Sequence, residues 1–176
     1  MIRKATRADV PAIERVMLAS LRELGARTYD ATQVESSLIY LAVPDTQLID
    51  DGTYFVAEID DEVVACGGWS QRRKTHAGSA HSEADDALLD PRSDPARVRA
   101  MFTDPRFARR GFGRAILEEC ERAAAEAGFS RVQLVAMRSG EALYRACGYV
   151  EVADSPVVLE DGVVLECTLM EKPVSP

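Results

Sequence analysis

The chain concentrates its chemistry in residues 97–117, RVRAMFTDPRFARRGFGRAIL. A β-type run from Arg97 to Thr103 stops at Asp104-Pro105. An arginine-rich turn follows, and Gly111 and Gly113 open a helical run. A glycine, lacking a side chain, lets a diphosphate come close to the backbone. The unpaired N–H groups of a first helical turn, aided by the helix dipole, bind anions. Arg109, Arg110 and Arg114 add positive charge at that end, with Arg97, Arg99 and Arg106 close by in sequence. The segment therefore predicts a site for a small anionic ligand. Two familiar phosphate loops are excluded. A Walker loop needs Lys and Ser or Thr after its last glycine, where this chain has Arg114-Ala115; the dinucleotide fingerprint needs a glycine where Ile116 stands.

Other reactive side chains are scattered. Cys66, Cys120, Cys147 and Cys167 form no CxxC pair, which argues against a zinc site or a disulfide framework and fits a reducing cytoplasm. His76 and His81 sit near Glu83, Asp85 and Asp86, but a charged loop is not a preorganised ligand set, and no metal is expected. A formal charge of −8 disfavours binding to nucleic acid, whose phosphates need a basic surface. No apolar run approaches the roughly 20 residues of a membrane-spanning helix, and MIRKATRADV is not a secretory signal. The expectation is a cytoplasmic protein without nucleic-acid or membrane partners.

The rest of the pattern must hold the glycine segment in place. At 176 residues the chain is long enough for one domain with a full core, spanning 1–176. Residues 2–5 read as a strand, and Thr6 with Asp9 as a near capping box for a helix over about 9–24. Val10, Ile13, Met17, Leu21 and Leu24 give that helix its stripe, while Val34, Leu38 and Leu41 mark a second one. Tyr54–Ile59 and Glu62–Trp69 form a hairpin around Asp60-Asp61. Residues 71–96 lack periodicity and read as a long loop or insertion, expected to be mobile until a ligand binds.

After the glycines, a helix runs to Gly128 with Phe112, Ile116, Cys120, Ala123 and Ala127 on its apolar face. A strand (Arg131–Ala136), a short helix (Glu141–Ala146) and a strand from Tyr149 follow. Asp161-Gly162 makes a last hairpin between Val157–Glu160 and Val163–Met170. The order β-α-α-β-β-β-α-β-α-β-β describes a mixed α/β sheet without internal repeats.

These segments together resemble the GNAT superfamily of N-acetyltransferases. The resemblance is carried by IRKATRADVPAI, FTDPRFARRGFGRAIL and ALYRACGYVEV, in the family's order and over essentially the whole chain. It implies a mostly antiparallel central sheet flanked by helices and splayed at an acetyl-CoA site. It also implies pantetheine beside Met101, Phe102 and Thr103, and a pyrophosphate held by backbone amides of Arg109, Arg110, Gly111, Phe112, Gly113 and Arg114. One departure is Ala108, where the family commonly has Arg or Gln; backbone donors dominate that contact, and Arg109 can substitute.

The same resemblance makes Tyr144 the general acid. A phenol with a reference pKa of about 10 is protonated at neutral pH and can hydrogen-bond the leaving sulfur. Oxyanion donors are expected among backbone N–H groups near Phe102. No carboxylate lies on the strand before the glycine loop, so Glu58, Asp104, either histidine or ordered water stay open as the base. In the family the acceptor cleft is lined by the first two helices, the 71–96 region and the last hairpin, with Tyr29, Tyr40, Trp69 and Arg72 as wall candidates. The function implied is transfer of an acetyl group from acetyl-CoA to a small-molecule or peptide amine; the oligomeric state is open, a homodimer included. A non-catalytic acyl-CoA sensor is the alternative, and would need only the cofactor half of the site.

Overall fold

A computed structural model describes residues 1–74 and 87–175. In chain order the elements are β1 (Ile2–Lys4), α1 (Val10–Glu23), α2 (Ala31–Tyr40), α3 (Thr46–Asp50), β2 (Tyr54–Ile59), β3 (Glu62–Ser70) and β4 (Ala96–Thr103). There follow α4 (Phe112–Glu126), β5 (Arg131–Met137), α5 (Glu141–Ala146), β6 (Val150–Asp154), β7 (Val157–Val158), β8 (Val164–Leu165) and β9 (Cys167–Pro173). Seven strands build one sheet in the order β1-β2-β3-β4-β5-β9-β6, and β7 with β8 forms a separate ribbon. Every neighbouring pair is antiparallel except β4–β5.

The sheet is covered on both faces. Along β2, side chains alternate: Tyr54 and Val56 meet the core under α1 and α3, Phe55 and Ala57 the core under α4. The Asp9 carboxylate accepts the Thr6 backbone N–H at 2.7 Å and the Thr6 hydroxyl at 2.9 Å, closing the start that precedes α1. α1 then buries Ile13, Val16, Met17 and Leu21, close to the stripe its sequence shows. The β2–β3 turn places Asp60 and Asp61 at φ 48° and 63°, the left-handed pair that suits a two-residue hairpin.

Three expectations need correction. The apolar face of α4 consists of Ile116, Leu117, Cys120, Ala124 and Ala125, while Ala127 is exposed. A stripe drawn mostly at four-residue steps drifts off a 3.6-residue repeat. α3 is additional; five residues are too few to show a period, and only the Asp45 carboxylate on the Leu48 N–H marks its start. The last hairpin is shorter than expected. Val163–Met170 is not one strand, because β8 pairs only with β7, while β9 enters the main sheet between β5 and β6. The ribbon is strapped to α2 instead, through the Ser36 hydroxyl to Asp161 (2.7 Å) and Gln33 to the Val164 carbonyl (2.8 Å).

The ends of the 71–96 segment are tied together: Arg73 N–H donates to Ala87 C=O and Leu89 N–H to Gln71 C=O, at 3.1 and 2.8 Å. Its expected mobility, and His76 and His81, fall on residues 75–86, outside the described residues. Among the described residues no helix is long and apolar enough to cross a membrane.

Ion pairs tie the elements at their ends. The Arg3 guanidinium grips both Asp9 oxygens at 2.8 Å and also Glu58. It holds the Asp9 carboxyl well below the usual carboxylate range, and Arg72 and Arg106 lower Asp51 and Asp104 likewise. Carboxylates depressed on folding contribute stability that is fully present above their unfolded pKa of about 3.9, lost as pH falls through the folded values. The melting temperature should therefore hold steady from about pH 7 to 5 and drop below about pH 4. Asp9→Asn should lower it at neutral pH and flatten the acid decline. Melting followed by circular dichroism across this range checks both; an unchanged acid slope would remove Asp9 from the effect.

Candidate active site

β4 and β5 pair only at Ala96 with Val132 and Arg97 with Gln133, and then part. β5 continues against β9 along its whole length, and β4 against β3. The space between them is a cleft of about 120 Å³, lined by Val98 to Phe102 on one side and by Leu134, Val135 and Met137 on the other. A bulge marks the parting. Cys66 of β3 faces Phe102 and Gly68 faces Arg99, so Gly67 alone stands against Ala100 and Met101. Ala100 takes φ 55°, unusual for a residue with a side chain, and the buried Tyr54 hydroxyl holds its carbonyl at 3.1 Å. Met101 fits because residue 67 is glycine: a Cβ there would stand 2.1 Å from the Met101 sulfur and 2.8 Å from Ile116 Cγ2.

The glycine loop lies where β4 ends. Arg109 and Gly111 both adopt left-handed backbone, φ 64° and 90°. The first N–H to find the helical acceptor at Gly111 is that of Ala115, at 2.9 Å, which leaves the preceding amides at the open end of α4. Gly113 is wedged between neighbours; a Cβ would come within 3.2 Å of Leu143 Cδ2 and 3.4 Å of the Thr103 hydroxyl. Thr103, Gly113 and α5 therefore meet at one place, with Met101 and Phe102 in the adjoining cleft.

The arginines divide by role. Arg110 stacks over Phe107 and Phe112, 5.1 and 5.8 Å from the ring centres, and Arg114 reaches the Ala146 carbonyl at 3.4 Å. Arg106 pairs with Asp104 and Glu62. Arg97 and Arg99 project from β4 into buried surroundings. Only Arg109, Arg110 and Arg114 of the expected cluster belong to the loop.

Tyr144 lines the cleft from α5 and is nearly buried, 8% exposed. Its ring meets Tyr149 edge-on at 5.8 Å. Gly140 makes room for it, since a Cβ there would stand 3.0 Å from Tyr144 Cε2. Burial pushes the phenol pKa far up, so the group stays protonated at any physiological pH. Glu58 and Asp104 do not qualify as free bases: Arg3 holds the first, Arg15 and Arg106 the second. No carboxylate is among the described residues lining the cleft.

On its far side the cleft opens between Ser20, Leu21 and Gly25 at the end of α1, Leu41 after α2, and Val157, Leu165 and Cys167. Their elements, the first two helices and the last hairpin, were expected, but none of these residues was; as small or apolar residues they carry no local signal that separates them from core. Trp69 is no wall, since it packs edge-on against Phe129 (6.0 Å) in the core beneath α4. Arg72 is tied to Asp51 at 2.9 Å. Tyr40 packs with the core beneath the ribbon. Tyr29 stands behind the wall: its hydroxyl donates to the Glu166 carbonyl (2.7 Å) and accepts the Arg138 N–H (3.1 Å), joining the end of β5 to the start of β9. Among the described residues no cluster of His, Cys, Asp and Glu could hold a metal.

The sequence model of the acetyltransferase (GNAT) family matches residues 18–149. This chain belongs to that family, the acetyl-CoA-dependent N-acetyltransferases. No curated protein matches it in sequence. Its fold is similar to a GCN5-related N-acetyltransferase from Rhodopseudomonas palustris, with TM-score 0.76 and 18% identity over 99% of this chain and 95% of that one. It is also similar to the PaiA N-acetyltransferase of Thermoplasma acidophilum, solved with coenzyme A, with TM-score 0.68 and 15% identity over 98% of both chains. A third neighbour is YncA of Salmonella typhimurium, solved with acetyl-CoA, with TM-score 0.64 and 18% identity over 100% of this chain and 94% of that one. The mixed, mostly antiparallel sheet with flanking helices is the architecture these share.

The burial of Tyr144 has a direct spectroscopic consequence. In an ultraviolet pH titration, the wild type minus Tyr144→Phe difference should show no phenolate signal near pH 10, where an exposed tyrosine is about half ionised. A normal transition there would mean that the phenol is open to water.

Proposed function

We propose that this chain acetylates a primary amine by direct attack on acetyl-CoA bound between β4 and β5. One observation carries the reading: a single cleft joins the open edge of β4, the Tyr144 phenol and the chamber beneath α1, α2 and the β7–β8 ribbon. The free backbone of Val98 to Phe102 suits the amides of pantetheine, which can pair with it as a strand would. The amides at the open end of α4, with Arg109, Arg110 and Arg114, suit the pyrophosphate. The amine nitrogen then attacks the thioester carbon, a C–N bond forms and the C–S bond breaks. Backbone N–H groups near Phe102 stabilise the oxyanion, Tyr144 gives its proton to the departing thiolate, and the amine's surplus proton passes through water, which returns a proton to Tyr144; this fits a cleft with no carboxylate among its described lining residues. A sensor of acyl-CoA would need only the cofactor half, and the acceptor chamber beyond Tyr144 favours the enzyme. All four cysteines are free thiols, which supports work in the reducing cytoplasm.

Two variants separate binding from chemistry. Gly111→Val forces a branched residue into left-handed backbone at the head of α4, at a cost of roughly 1–2 kcal/mol or more. Acetyl-CoA affinity, read by calorimetry on the folded variant, should fall at least about tenfold, a loss of about 1.4 kcal/mol. Unchanged affinity would move the pyrophosphate elsewhere. Tyr144→Phe keeps the ring and deletes the proton donor. Its kcat should drop on the order of 10²-fold, within the range for general acid catalysis, with acetyl-CoA affinity within a few-fold. An unchanged kcat would take Tyr144 out of the mechanism.

A further inference from the structure

Among the described residues, the lining of the cleft does not share the acidic character of the chain. A net charge of −8 would, taken alone, favour a cationic amine. Yet the described residues lining the cleft include no Asp, Glu or Lys, and Arg99 is the single formally charged one. Around it the acceptor side is mostly apolar, with Leu21, Leu41, Val157 and Leu165. A polycation entering here would lose its hydration and find no unpaired carboxylate among the described lining residues, since the nearby Asp45 is already paired with Arg99.

Arg99 is held firmly but incompletely satisfied. Its side chain is 2% exposed and pairs with Asp45, itself 4% exposed, at 2.9 Å through Nε. Nη1 donates to the Lys74 carbonyl at 2.7 Å, while Nη2 is buried without any hydrogen-bond partner. Two acceptors thus fix the plane of the guanidinium and leave one nitrogen unmet among the described residues, which costs free energy until an acceptor reaches it. Arg97, two positions earlier and so on the same face of β4, is half-buried, and its Nε and Nη1 atoms have no hydrogen-bond partner among the described residues.

We propose that the acceptor is an amine that also bears a carboxylate, an amino-acid-type molecule with an apolar body, and that Arg99 recognises the carboxylate through Nη2. The proposal rests on the amine-acetylation reading above. Guanidinium and carboxylate make strong, charge-assisted hydrogen bonds. Arg99 stands just ahead of the bulge on β4, with Met101 and Phe102 just beyond it. That spacing suits a molecule whose amine and carboxylate are a few bonds apart, while the leucines and valines take up its side chain.

Matched acceptor pairs that differ only in the carboxylate test this: leucine against 3-methylbutylamine, phenylalanine against phenethylamine, with spermidine as the polycation. CoA release and mass of the acetylated product give kcat and KM for the wild type, and calorimetry on the CoA-saturated protein gives acceptor affinity. The carboxylated member of each pair should win by about tenfold or more in kcat/KM, as expected for a hydrogen bond to a charged group. Arg99→Lys retains a cation for Asp45 but removes Nη2; it should raise KM for the amino acids about tenfold while moving KM for the plain amines much less. Equal or better use of the decarboxylated amines or of spermidine by the wild type overturns the proposal, whether or not the variant folds. If acetyl-CoA binds and no amine is acetylated, the acetylation reading itself falls. Calorimetry then decides carboxylate recognition alone: tighter binding of the amino acids upholds it and equal binding ends it.

Discussion

A strand inside a sheet normally has each backbone amide occupied on one side or the other, because an unmet buried N–H or C=O is costly. β4 has β3 beside it throughout, but β5 keeps it company only at Ala96 and Arg97. From there on, the middle of the sheet contains an edge. Edges of this kind invite pairing, and proteins usually cover them or blunt them with charge. Here the edge is left bare in a cleft, where an extended, amide-bearing chain can complete it. The positions of the glycine loop, α5 and the β7–β8 ribbon all follow from where that edge runs.

What keeps the two strands apart is distributed over the fold. Tyr54 locks the bulge from the α1–α3 side, and Tyr29 joins the far end of β5 to β9. Ser36 and Gln33 hold the ribbon against α2, so the acceptor chamber has a wall. Four arginines stiffen the surrounding frame. Arg3, Arg15, Arg72 and Arg106 clamp loops and strand ends to carboxylates, and few remain for a ligand. The negative net charge and a cleft lining without carboxylates among the described residues are thereby compatible: the acids are spent on the frame or lie on the outside.

Much of the strand, glycine loop and helix on one side of the cleft was legible in the sequence because its signals are local. Gly111 and Gly113 after Asp104-Pro105 mark a turn into a helix whatever the rest of the chain does, and the Asp60-Asp61 hairpin is equally self-contained. The family and the mixed sheet followed from such segments in order. The far side of the cleft was legible as elements, the first two helices and the last hairpin, but not as residues. Leu41, Val157 and Leu165 look like core in sequence, and they become walls only once α2 and the ribbon meet across more than a hundred residues. Trp69 misled for a related reason, since alternation along β3 does not reveal which face looks toward the cleft once bulges interrupt the register. The six arginines between 97 and 114 look like one cluster in a line of text, but a strand, a turn and a helix point them in different directions.

Gly67 makes no part of the cleft lining, yet it sets how far one side of the cleft stands back. The Met101 sulfur occupies the room that any larger residue at 67 would claim, with Ile116 closing the space from α4. Methionine is the most pliant of the apolar side chains, so pressure from residue 67 would be relieved by Met101 swinging toward the gap between β4 and β5. The width of the cleft beside Met101 is therefore adjustable from the neighbouring strand, by a single methyl group placed outside the cleft lining.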